Sequence, residues 1–124
     1  MSSRPLIKPF KVITAGDMSG NLTSKVTVID DLSMISYSVS WSGASPVGTI
    51  TVQASNDYST NADGSVRNAG TWNTLTLSSI CAVSGNTGNG MIDIDSLAGY
   101  AVRLVYTRTS GTGVIDATVV AKVA

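Results

Sequence analysis

The sequence has no histidine and no glutamate, and its acidic residues are all aspartate. It has a single cysteine, three prolines and few aromatics, and charged residues make up only 13%. Each shortage excludes something. Without histidine, no side chain has an ordinary pKa near neutrality, and proton transfer at neutral pH rests on Asp, Tyr, Lys or Cys81. Without a second cysteine there is no internal disulfide, and without histidine Cys81 has no base to activate it as a nucleophile. Its setting, Ser79-Ile80-Cys81-Ala82-Val83, is apolar, and Cys81 reads as a small buried hydrophobe. No phosphate-cradling glycine loop, paired-cysteine motif or nucleophile elbow occurs. The chain is expected to be no enzyme and to need no cofactor.

Charge is scarce and evenly spread. Eight Lys and Arg balance eight Asp, giving a formal net charge of zero. The basic residues form no cluster, so neither a nucleic-acid backbone nor an anionic membrane is an expected partner. No apolar run reaches the ~18 residues of a membrane span. The first residues, MSSRPLIKPFKVITAG, are broken by basic residues and prolines and do not read as a signal peptide. Synthesis in a cytoplasm without export is the expectation.

What the chain does have is Val, Thr, Ser, Gly and period-two alternation. Absent glutamate and abundant β-branched residues favour strands over helices. In residues 34–41, Ile35, Tyr37, Val39 and Trp41 share one face while serines occupy the other. Residues 48–56 place Ile50, Val52 and Ala54 on one face. Ser42-Gly43-Ala44-Ser45-Pro46 between them reads as a turn, predicting a hairpin. Residues 100–108 and 114–123 are strands, with Ser110-Gly111-Thr112-Gly113 as their turn. Shorter strands are expected at 10–14, 25–29, 72–75, 79–83 and 91–95, with SGNTGNG a loop between the last two. The sum is an all-β, antiparallel β-sandwich of about eight strands, of jelly-roll type, over residues 10–124. Residues 1–9, bracketed by Pro5 and Pro9, read as an extended arm.

Few residues suggest chemistry. Asp93 and Asp95 share a strand face but sit where aspartate caps turns. In Asn56–Gly64, Asp57, Asn61 and Asp63 alternate as in a calcium loop, without the closing bidentate carboxylate; ordinary loop formation accounts for the same residues. Trp41 reads as core and Trp72 as packed or exposed. Tyr58 is the aromatic best placed for exposure. The strand faces carry Ser and Thr where exposed sheets commonly carry charge, which suits a face covered by another protein. Arg4, Leu6, Ile7, Phe10 and Tyr58 are the candidate partner-binding residues, with the loops 42–48, 57–71 and 84–90 as further contacts.

Two resemblances add to this reading. Thr51-Val52-Gln53-Ala54-Ser55-Asn56-Asp57, Trp72-Asn73-Thr74-Leu75 and Tyr100-Ala101-Val102-Arg103-Leu104 together resemble the pattern of discoidin-like jelly rolls, with residues 58–71 inserted. That resemblance implies glycan or lipid binding through loops at one end. VSWSGASPVGTITVQASND and AVRLVYTRTSGTGVIDATVVAK resemble small structural proteins of tailed bacteriophages. This second resemblance implies a capsid decoration or cement protein in the virion. Its partner would be the major capsid protein or another virion protein, and it would act as a homo-oligomer, a dimer or trimer. The alternative is a carbohydrate-binding or receptor-binding tail-fibre module using Tyr58 and Trp72.

Overall fold

The computed structural model describes residues 6–29, 34–76, 81–94 and 100–122. Ten strands are assigned: β1 (Leu6–Asp17), β2 (Leu22–Thr23), β3 (Thr27–Val28), β4 (Met34–Ser55), β5 (Ser59–Thr60), β6 (Val66–Asn68), β7 (Asn73–Thr74), β8 (Cys81–Val83), β9 (Thr87–Ile94) and β10 (Ala101–Lys122). The fold is all-β and antiparallel, with eight strands in the main sheet. β5 and β6 form a small separate ribbon within 57–71, which the sequence presented as loop.

The expected hairpins are not there. Residues 34–41 and 48–55 belong to one 22-residue strand, β4, and the two segments on either side of 110–113 belong to another, β10. β4 and β10 pair antiparallel along nearly their whole lengths, from Ser55↔Ala101 to Met34↔Lys122. The two turn-like stretches lie opposite each other in this register, with Gly43 facing Gly113 and Ala44 facing Thr112. They do not reverse the chain. They bend both strands at the same level, and register shifts between Arg108 and Thr112 take up the difference in path.

The bend also resets the side-chain phase. Before it, Ile35, Tyr37, Val39 and Trp41 are buried; beyond exposed Ser42–Ser45, the buried positions are Pro46, Ile50 and Val52. In β10 the buried set passes from Val102, Leu104 and Tyr106 to Ile115, Ala117, Val119 and Ala121. A strict period of two would turn one half inside out; the extra residue at the bend keeps both halves facing inward. Residues of both halves join one hydrophobic core.

The outer columns break at the same level. β1 flanks the 114–122 half of β10, and β2 and β3 flank its 101–106 half. β9 flanks the 35–42 half of β4, and β7 and β8 flank its 48–54 half. Hydrogen bonds stitch the fold line: Met18 N donates to Gly113 O at 2.9 Å and Gly43 N to Asn86 O at 2.8 Å. The molecule is thus a four-column sheet folded once across its middle, a sandwich made by bending rather than by separate hairpins.

Close approach explains the glycines here. A Cβ at Gly43 would collide with the backbone of Thr112 and Gly113, and one at Gly111 with Ser45 and Pro46. Gly111 also adopts φ 79°, and Ser45 opposite this region φ 51°.

Candidate binding surfaces

Two surfaces stand out, one on each half of the folded sheet. The first is the outer face of the β1–β10–β4–β9 half. Ser36, Ser38, Ser40 and Ser42 run down β4, with Met91 and Asn89 on one side and Val114, Asp116 and Thr118 on the other. Lys11, Ser38, Ser40, Asn89, Met91, Asp116 and Thr118 contribute to a shallow open groove of about 450 Å³. The charges in this groove neutralise each other: Lys11 Nζ lies 3.1 Å from Asp116 Oδ1. The Ala15 amide also donates to Asp116, and with Lys11 it holds the carboxyl below its ordinary value. Met91 is 63% exposed and Val114 44% exposed. The face is lined with serines along its centre and carries exposed apolar side chains, as the Ser-rich alternation of 34–41 suggested, with one further exposed carboxylate, Asp93, opposite Ser36.

The second surface is the loop that leaves β4 at Ser55. Ser55 is buried and organises the turn: its Oγ donates to Asp57 Oδ1 at 2.8 Å and accepts from the amides of Asp57 and Tyr58. The Asp57 carboxylate also accepts from the Thr71 amide, so one side chain clamps both ends of the 58–70 loop. The Thr71 amide is the larger cause, with Ser55 next, of a carboxyl pKa held below the ordinary 3.8. At the loop base the Tyr58 and Trp72 rings lie 5.9 Å apart at 55°. The Arg103 guanidinium stacks 4.3 Å from the Trp72 ring centroid, and Arg103 Nε donates to Gln53 Oε1 at 2.8 Å. Trp72 Nε1 donates to Ala69 O.

The residues singled out from the sequence fall as follows. Tyr58 is half-buried against Trp72 rather than projecting. Asp57 is committed to the loop clamp. Asp63 accepts from the Ser65 amide and hydroxyl, and Asn61 donates to that same hydroxyl, at the tip of the β5–β6 ribbon. These calcium candidates therefore serve two separate hydrogen-bond sets, and among the described residues no three His, Cys, Asp or Glu side chains converge. Phe10 is 42% exposed on β1. Leu6 and Ile7 are paired in β1 with Lys122 and Ala121; their side chains, that of Cys81, and Arg4 and Asp95 lie outside the described residues. Trp41 is buried as expected. Of the contact loops, 42–48 is the bend in β4, and 84–90 runs into β9 from Thr87 onward.

Sequence reasoning missed Ser24. Its Oγ accepts from Leu104 N at 2.8 Å, and its own amide donates to Leu104 O. It replaces a ladder partner for β10 between β2 and β3. A lone serine carries no periodic signal that would reveal this.

No family model matches the chain. No curated protein matches it either. Two solved structures align with it. The crystal structure of SPBc2 prophage-derived protein YomS aligns over 97% of this chain and 96% of its own, at 13% identity and a TM-score of 0.49. A chain in the structure of infectious bursal disease virus, Gx strain, aligns over 98% of this chain at 7% identity and a TM-score of 0.53. The match spans 32% of that viral chain, so this chain corresponds to about a third of it. At such identity the likeness to the viral chain is one of fold. Among the described residues no helix is long and apolar enough to cross a membrane.

Proposed function

We propose that this chain is a virion structural protein of the capsid decoration type, which binds and stabilises an assembled shell of major capsid protein. The observation that carries the reading is the serine-lined outer face of the β1–β10–β4–β9 half, with its exposed Met91 and Val114. A solvated sheet face gains nothing from exposing Met91 and Val114 while its only groove charges, Lys11 and Asp116, pair with each other. A protein partner seated on the groove would bury this apolar area without stranding Lys11 or Asp116, while Asp93, opposite Ser36, would need water or a cationic group of the partner. The fold's presence within a chain of a virus structure is consistent with a virion location. Phe10, 42% exposed on β1 opposite inward-facing Val119, and Tyr58 at the loop end are secondary contacts in this reading.

A ligand that binds only the assembled state stabilises that state by mass action. The test is co-sedimentation of the purified chain with assembled shells of the virus that encodes it, against its unassembled capsid subunits. Saturable binding to shells, with a raised shell melting temperature, is expected. Equal binding to subunits, or none to shells, would remove the decoration reading.

A further inference from the structure

The β1–β10–β4–β9 half has two edges, and they differ in protection. β1 carries Pro9, Lys8 and Lys11, and its pairing with β10 contains three register shifts. These are the usual devices that keep an edge from adding another strand. β9 reads Thr87-Gly88-Asn89-Gly90-Met91-Ile92-Asp93-Ile94, with no proline and no lysine. It pairs with β4 without a register shift from Ile94↔Ile35 to Thr87↔Ser42, and among the described residues no strand pairs with its other side. Among the described residues it is a straight edge with one charge, Asp93, and its outward amides and carbonyls require another strand or water.

The sequence of β9 is complementary to itself. In an antiparallel pair with a second copy centred on Met91, Met91 faces Met91. Asn89 then faces the second copy's Asp93, an amide against a carboxylate, twice. On the inner side Gly90 faces Ile92 and Gly88 faces Ile94, so each large side chain meets a residue that leaves it room. Residues directly opposite share a face and touch. This register buries the most exposed large apolar side chain of the described residues, Met91, against its own copy. A register centred on Asp93 would set carboxylate against carboxylate. Zero net charge leaves no general repulsion between copies.

We propose that β9 is a homodimerisation edge: two copies join antiparallel about Met91, extending the β1–β10–β4–β9 sheet across a two-fold axis. The interface does not depend on shell binding, and doubling the sheet would double the serine-lined face.

The test is sedimentation equilibrium on the full chain over a wide concentration range, with circular dichroism to confirm folding of each variant. A reversible dimer in the micromolar range is expected. Met91→Lys sets two ammonium groups opposite each other and should raise the dimer Kd by about tenfold or more. Since Met91 is exposed, the fold should be unaffected. Asn89→Asp should weaken the dimer, and Asn89→Lys, which faces Asp93 of the second copy, should tighten it. A monomer at every concentration overturns the proposal. So does an oligomer of any size that ignores all three substitutions.

Discussion

Gly43 and Gly113 face each other across the β4–β10 pair at the line where the whole sheet folds. Neither position has room for a Cβ, because each would press on the opposite strand's backbone. Two segments with the composition of hairpin turns, brought into register, thus make a crease in a ribbon. The consequence is that the bend, and not a loop, sets how the two inner faces meet.

Substitution at the crease should be costly. Gly111→Ala forces a side chain into a left-handed conformation and into Ser45 and Pro46. A loss of about 2–4 kcal/mol is expected by urea denaturation. Gly20→Ala, at a glycine with open space around it, should change stability by less than about 1 kcal/mol.

Ser24 offers a sharper test of the β10 edge. Ser24→Ala removes the acceptor for Leu104 N in a buried setting. Stability should fall by about 1–3 kcal/mol, and the Leu104 amide should lose protection from hydrogen exchange. An unprotected Leu104 amide in the wild type would show that this bond does not form in solution.

The loop clamp should respond to acid. The Asp57 pKa is lowered in the folded state by Thr71 and Ser55, so its contribution is complete above the ordinary value of 3.8 and disappears as pH falls through the lower folded value. As pH falls below 3.8 and through the lower folded value, the 58–70 loop should become sensitive to protease and Trp72 fluorescence should change. Asp57→Asn should remove this pH dependence while the rest of the sheet keeps its own.

Tyr37 and Trp41 are the places where the core looks over-specified. The hydroxyls of Tyr37 and Thr27 and the Trp41 Nε1 are buried without a hydrogen-bond partner among the described atoms. Burial pushes the Tyr37 phenol upward, with the neighbouring Thr27 hydroxyl offsetting part of the shift. Tyr37→Phe should therefore be neutral or stabilising by up to about 1 kcal/mol in thermal unfolding, which a hydrogen-bonded tyrosine would not permit.

Much of this architecture was legible in the chain. Ile35, Tyr37, Val39 and Trp41 announced their buried face through alternation, as did Ile50 and Val52. What alternation could not convey was the join between such segments. SGASP and SGTG have the chemistry of turns, and only long-range pairing makes them opposite sides of one crease. β9 was obscured for a related reason: Gly88, Asn89 and Gly90 read as loop, yet Gly88 sits where a Cβ would strike the Trp41 ring, so packing selects glycine within a strand. The loop cluster was half visible. Ser55, Asp57, Trp72 and Arg103 lay within the discoidin-like pattern, but the stacking of Arg103 on Trp72 joins residues far apart in sequence and needed the sheet register to appear.

Docking of a shell on the serine-lined outer face lies at the centre of the proposed function. It is tested most directly by the occupancy of purified shells by charged-face variants. Ser40→Lys with Thr118→Lys places two ammonium groups in the groove beside Lys11, and Thr23→Lys with Thr49→Lys places two on the other half of the molecule. The first pair should abolish most occupancy while the second should bind like the unmodified chain. Full occupancy by the first pair, or equal loss in both, would contradict it.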